Sequence, residues 1–274
     1  MSNTTKRVLS AVVLIIIVAI CYYLGSKFAL GFVCLMGLLV NDEIFCNVLK
    51  GRRFSPFYIV SSMLVAGSFI TVHYALPGSG FELIAVNTCI ALNAVLVAYL
   101  FITPMDSKIL QTLSDKFPVA AGVYTSVSFA SLGAIFHHPE WKTMLVVLLF
   151  IAYGMDSGAW LFGKNFGKHK LWPSVSPNKT VEGLIGGSLT AGFLSGAISH
   201  LAIGKMSIGL FVIFCFLGIL SQVGDLIQSK IKRQACIKDS SALIPGHGGV
   251  YDRLDSLLFL APFYIVSIRY FFDS

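Results

Sequence analysis

The sequence predicts an all-α, polytopic integral membrane protein with about nine transmembrane helices and a cytoplasmic N-terminus. Three observations predict it. Hydrophobic residues make up 56% of the 274 positions and charged residues 12%, whereas soluble domains carry about 25% charged residues. Long runs hold no Asp, Glu, Lys or Arg at all, and about 20 apolar residues suffice to cross the hydrocarbon as a helix. The Lys and Arg residues fall mainly on alternate connections, as the positive-inside rule requires. The net charge of +7 therefore faces anionic headgroups rather than nucleic acid.

The spans follow in chain order. The first, near 8–24, is charge-free between Arg7 and Lys27. It opens like a signal peptide, but no small-residue cleavage site follows, so an uncleaved first helix is expected. The second, near 28–48, carries Asp42 and Glu43 close to its end. Charge-free runs from Arg53 to Glu82 and from Glu82 to Asp106 give spans near 57–76 and 81–102, and Lys116 to Glu140 gives 117–137. A shorter run, Thr143 to Met155, seeds 141–162, with Asp156 at membrane depth. Runs on either side of Lys205 give 180–203 and 207–228, and Ser256 to Ile268 gives 254–272.

With the N-terminus inside, 16 bases are cytoplasmic: Lys6, Arg7, Lys50, Arg52, Arg53, Lys108, Lys116, Lys164, Lys168, Lys170, Lys179, Lys230, Lys232, Arg233, Lys238 and Arg253. Only Lys27, Lys142, Lys205 and Arg269 lie outside. The six cysteines are scattered without a C-x-x-C pair and read as buried free thiols.

Residues 1–105 read as transmembrane scaffold and 106–274 as a catalytic region with cytoplasmic polar loops. In the eighth helix, Asp225, Ser229 and Lys232 share one face at 100° per residue. Asp225 closes a long apolar run, so its carboxylate is a functional candidate. Downstream, Lys238 and Asp239 precede Pro245-Gly246-His247-Gly248-Gly249-Val250-Tyr251-Asp252-Arg253-Leu254-Asp255. The glycines leave backbone N–H groups accessible to phosphate oxygens. Asp252 and Asp255, at i and i+3, together with Asp225, offer hard oxygen ligands to Mg²⁺. Lys232, Lys238 and Arg253 can neutralise phosphate.

Upstream, Gly163 and Gly167 with Lys164, Lys168 and Lys170 look suited to phosphate but do not form a Walker A loop. Ser176-Pro177 reads as an N-cap and first-turn proline, with Lys179 and Thr180 at the helix start. Gly183, Gly187, Gly192 and Gly196 follow small-x-x-x-small spacing, which serves either a homodimer or packing within the chain. His73, His137, His138 and His200 have no ligand-spaced partners and read as interfacial or core. Asp42-Glu43 reads as helix-end polarity.

The run Ser229-x-Ile231-Lys232-Arg233, Lys238-Asp239-x-Ser241, Ile244-Pro245-x-His247-Gly248-Gly249-Val250-x-Asp252-Arg253-Leu254-Asp255 resembles the signature of phosphatidate cytidylyltransferases at every specified position. The upstream Asp156, Gly163, Gly167-Lys168 and Ser176-Pro177-x-Lys179-Thr180-x-Glu182-Gly183 also resemble that family. The resemblance covers about 150–274. It implies that CTP and phosphatidic acid give CDP-diacylglycerol and pyrophosphate with Mg²⁺ and room for a second cation, at the cytoplasmic face of a bacterial inner membrane.

On that reading Asp225 and Asp252 bind the cation, with Asp255 a further ligand and Asp239 beside them. Lys232, Lys238 and Arg253 carry phosphate charge. Substrate contacts fall to Asp156, Lys168, Ser176, Lys179, Thr180, Glu182, Ser229, Arg233, His247, Gly248 and Gly249. The alternatives are a CTP-dependent polyprenol kinase and a membrane transporter. The clustering of charge in two polar segments speaks against the transporter.

Overall fold

A computed structural model describes residues 3–77, 80–204 and 207–272. Lys205 lies outside the described residues, as do the side chains of Lys6, Arg7 and Arg269. Among the described residues the regular secondary structure is helical apart from one short hairpin. Among the described residues six helices are long and apolar enough to cross a membrane, or seven if a bent pair counts as one. The chain divides into two compact units.

The first unit comprises residues 1–95, 103–139 and 231–254. It holds α1 (Asn3–Leu24), α2 (Ser26–Glu43), α3 (Pro56–Ile70), most of α4 (Phe81–Ile102), α5 (Ile109–Lys116) and α6 (Ala120–Gly133). π-helical turns extend α2 over Ile44–Val48 and α3 over Thr71–Ala75. The α3 start follows its sequence: Ser55 caps the helix by accepting Tyr58 N–H at 3.3 Å, and Pro56 occupies the first turn. Its contacts with α2 and α6 rest on small residues. A Cβ on Gly122 would lie 2.7 Å from the Ser61 carbonyl oxygen. Between α2 and α3, Asn41 accepts from Ser61 Oγ at 2.8 Å and donates to Ser62 Oγ at 3.2 Å.

The span expected at 117–137 is found as Ala120–His137, set off from the short helix before it by a sharp bend. Proline removes an N–H and disfavours helix before it, so the chain turns at Phe117-Pro118. α5 precedes the break at a bend of 95°, and a 3₁₀ turn, Ala134–His137, closes α6.

The second unit comprises residues 96–102, 140–230 and 255–274. It contains α7 (Trp141–Phe166), β1 (Lys170–Trp172), β2 (Ser176–Thr180), α8 (Val181–Ile203) and the larger parts of α9 (Ile208–Gln234) and α10 (Tyr251–Phe272). α7 and α8 touch backbone to backbone. A Cβ on Gly187 would lie 2.6 Å from the Met155 carbonyl, and one on Gly183 2.7 Å from that of Ala159. Gly192 faces Phe211 and Cys215 of α9. These glycines are used inside the chain and carry no argument for a homodimer.

Two sequence expectations need correction here. Ser176-Pro177 does not cap a helix: it lies in β2, which pairs antiparallel with β1 in the register Lys170 to Thr180 and Trp172 to Ser176. Pro177 is tolerated because the ribbon has only two strands. The cap of α8 is Thr180, whose hydroxyl accepts Gly183 N–H at 3.1 Å. Gly163 and Gly167 do not form a phosphate loop either, because α7 runs on to Phe166. A Cβ on Gly167 would meet the Gly163 carbonyl at 2.2 Å and Thr180 Cγ2 at 2.8 Å, so Gly167 is there for close packing.

Candidate active site

In the first unit the 240–252 segment is built around two carboxylates. Asp252 Oδ1 accepts from Lys232 Nζ at 2.6 Å. Its Oδ2 accepts the N–H of Ser240 at 2.7 Å and of Gly249 at 2.8 Å, with the Ser240 hydroxyl 3.0 Å away. The Lys232 and Asp252 side chains are only 10% and 5% exposed. Burial pushes the Asp252 carboxyl up, but the Lys232 charge and the donors from Lys232, Gly249 and Ser240 outweigh it. The group is held below the usual carboxylate range.

The second carboxylate is Glu43, 2% exposed. It accepts Val250 N–H at 2.9 Å, Tyr251 N–H at 2.8 Å, Ser241 Oγ at 2.7 Å and Ser240 Oγ at 2.8 Å. Nearby, Asn47 donates to the Ser240 carbonyl at 2.7 Å. A buried carboxylate without such donors would be costly, and here the loop supplies four. The reading of Asp42-Glu43 as helix-end polarity is thereby corrected for Glu43. The weak signal was an acid near the end of an apolar run. Asp42 keeps to local partners, Arg53 and the Tyr58 hydroxyl.

In the glycine turn two of the backbone donors expected to face phosphate are engaged within the protein. Gly249 N–H is given to Asp252, and His247 N–H to the Ile244 carbonyl at 2.9 Å. Neither is left for a phosphate. Space explains these glycines instead. Gly248 has a φ of 84°, a conformation that glycine adopts without strain. A Cβ on Gly249 would lie 2.1 Å from Ser240 Oγ and 2.5 Å from Glu43 Oε2. His247 Nδ1 is 2.7 Å from Ser10 Oγ of α1, and its carbonyl accepts Arg253 Nε at 3.1 Å. Arg233, Lys238, Asp239 and Arg253 are exposed on this segment.

In the second unit Asp225 Oδ2 accepts from Lys179 Nζ at 2.6 Å and its Oδ1 from Ser229 Oγ at 3.1 Å. The β-hairpin thus delivers Lys179 to α9. These side chains are 19% exposed for Lys179 and 26% for Asp225. Glu182 accepts the N–H groups of Lys168 and His169 at 3.0 and 3.2 Å, and its Oε1 is 2.6 Å from His169 Nδ1. It ties the α7 exit to the α8 start. Thr180 is spent on the cap, Ser176 sits in β2, and Asp156 and Lys168 are exposed. Asp255 is buried, and its Oδ1 accepts Ser256 N–H at 2.8 Å.

Lys230, which sequence reasoning passed over, is 2% exposed and donates to the carbonyls of Tyr99 and Leu100 at 3.0 and 2.8 Å. It satisfies the end of α4. Its charge and its nearness to Asp225 in sequence had marked it only as a cytoplasmic base.

Comparison with known proteins bears on the chain as a whole. The model of the cytidylyltransferase family matches residues 5–271. The phosphatidate cytidylyltransferase of Staphylococcus aureus (strain COL) is 30% identical over 93% of this chain and 95% of its own. That of Staphylococcus haemolyticus (strain JCSC1435) is 28% identical over the same shares. With the match running almost from end to end, this chain belongs to the cytidylyltransferase family.

Proposed function

We propose that this enzyme transfers CMP from CTP to phosphatidic acid, releasing pyrophosphate and leaving CDP-diacylglycerol in the bilayer. The observation that carries the proposal is the near-complete match to relatives that bear this activity in their names, over a chain rich in membrane-length helices. A phosphatidate oxygen attacks the α-phosphorus of CTP, and the bond to the bridging oxygen of pyrophosphate breaks. The nucleophile is already anionic near neutral pH, so no strong base is required. The difficulty is bringing two anions together, which cationic side chains relieve.

Lys238, Arg233 and Arg253, exposed beside the Asp252 loop, are assigned to phosphate charge. Lys179 and Lys232 are lysines held ready on carboxylates. Glu43 and Asp252 hold the shape of the loop that presents these cations. The acyl chains stay in lipid.

Carboxylate and hydroxyl oxygens are the ligands a hard cation takes. Asp225 and Ser229 offer oxygen ligands, and Asp252 Oδ1 already faces a positive charge in Lys232. Asp225 and Asp255 of the second unit would each offer a carboxylate to Mg²⁺ or to a second cation, and Asp252 of the first unit would do so on exchange of Lys232. When bound, the metal supplies charge neutralisation on the nucleotide phosphates.

The nine-span topology, the cytoplasmic N-terminus and a site facing the cytoplasm of a bacterial inner membrane belong to this proposal and rest on the Lys/Arg distribution. The test is purified protein in detergent with phosphatidic acid, Mg²⁺ and CTP labelled at the α- or the γ-phosphate. α-Label in the lipid and γ-label in pyrophosphate are expected. γ-Label in the lipid, with CDP released, would make the enzyme a lipid kinase instead.

A further inference from the structure

The fold brings together three side chains that the function above does not use. His73 lies in the π turn ending α3, Glu82 in the first turn of α4, and His137 at the end of the 3₁₀ turn after α6. All belong to the first unit. His73 Nδ1 is 2.9 Å from His137 Nε2, and Glu82 Oε1 is 3.6 Å from the same nitrogen. One ligand atom from each residue lies within 4.8 Å of the others. From these positions we propose that His73, Glu82 and His137 form a binding site for a divalent transition-metal ion of the Zn²⁺ class, built from residues other than Asp225, Asp252 and Asp255.

Three physical points support the assignment. The first is ligand spacing. Two ligands each about 2.05 Å from a tetrahedral ion lie about 3.3 Å apart. The distances of 2.9 and 3.6 Å bracket that value, so shifts of a few tenths of an ångström admit the ion on those edges.

The second is orientation. His73 Nε2 is 2.9 Å from the Ala130 carbonyl, which can only accept, so that nitrogen carries the proton. The Nδ1 lone pair is thereby aimed at His137 and Glu82. A ligating histidine characteristically has its other ring nitrogen fixed by such a carbonyl. With His73 fixed, His137 Nε2 must carry the proton that bridges the rings. Metal binding needs only a shift of that proton to Nδ1 of His137, with no net charge change on either ring.

The third is rigidity. The His73 ring stacks on His137 at 5.1 Å and 16°, and sits 4.5 Å from Phe69. It also fills space that a Cβ on Gly133 would occupy at 2.4 Å. The site would clasp the α3–α4 turn to the end of α6. It lies at the far end of α3 from Ser55, eighteen residues away, or about 27 Å at the helical rise.

The probe is Co²⁺ added to untagged, metal-free protein in detergent, with Zn²⁺ as competitor. One Co²⁺ per chain, with the visible absorption of a four-coordinate site bleached by Zn²⁺, is expected. His137→Ala and Glu82→Gln should each abolish that band and the Zn²⁺-dependent rise in Tm. Because His137 is exposed and Glu82 only at the margin of burial, both variants should melt within about 2 °C of the parent in EDTA. Absence of the band in the parent, or its persistence in both variants, overturns the proposal. CMP transfer is not the readout, so failure here and failure of the proposed function are distinguishable.

Discussion

Asp225 and Asp252 each hold a lysine at 2.6 Å, yet their surroundings differ. The Asp252 pair is nearly closed to solvent, and its carboxylate is packed with backbone donors. The Asp225 pair is about a fifth to a quarter exposed and takes its donors from the side chains of a hairpin lysine and a helix serine. The sequence ranks the two acids alike. The difference shows that an acid which shapes a loop is known by the N–H groups it absorbs, whereas Asp225 is distinguished by side-chain donors and solvent access.

Substitution of each acid breaks the comparison most directly. Asp225→Asn should lower CMP transfer by about 100-fold or more, the scale of losing a key electrostatic contact, with Tm nearly unchanged. Asp252→Asn should lower both, because removing one member of a buried pair costs about 3–5 kcal/mol. Activity assays beside thermal melts separate the two. Equal loss of Tm in both variants would erase the distinction.

Glu43→Gln comes next. Charged hydrogen bonds contribute about 1.5–3 kcal/mol each, and the amide cannot accept from all four donors. A loss of about 2–4 kcal/mol is expected, along with protease cleavage inside 240–250 that the parent resists. Gly249→Ala is smaller, at about 1–3 kcal/mol as an overpacking change, read from the same melts.

The smallest effect is on acidification. The depressed Asp252 carboxyl contributes stability that is complete above its ordinary value of 3.8 and is lost as pH falls through its lower folded value. Melts should show no pH dependence from this group between pH 5 and 8, where its contribution is complete. Below about pH 4 they should show a decline that is shallower in Asp252→Asn.

Much of this was legible beforehand. The charge-free runs located the helices, because lipid forbids unpaired charge and irregular backbone alike. The 229–255 run identified the chemistry. What escaped was long-range partnering. Glu43 and Ser240 are 197 positions apart, and no local periodicity links them. His73 and His137 are 64 apart and meet only because α6 ends beside α3. Ser176-Pro177 misled because a serine before a proline suits a strand start as well as a cap. Pairing with Lys170–Trp172 decided the matter.

The Glu43 clasp also has a consequence for biosynthesis. The ribosome makes this acid nearly 200 residues before the segment that neutralises its demand for donors. Until residues 240–251 emerge, the nascent chain must shelter a carboxylate at a helix end with water or insertion machinery as its only company. Chains cut short before that point leave Glu43 without the four donors that this segment supplies.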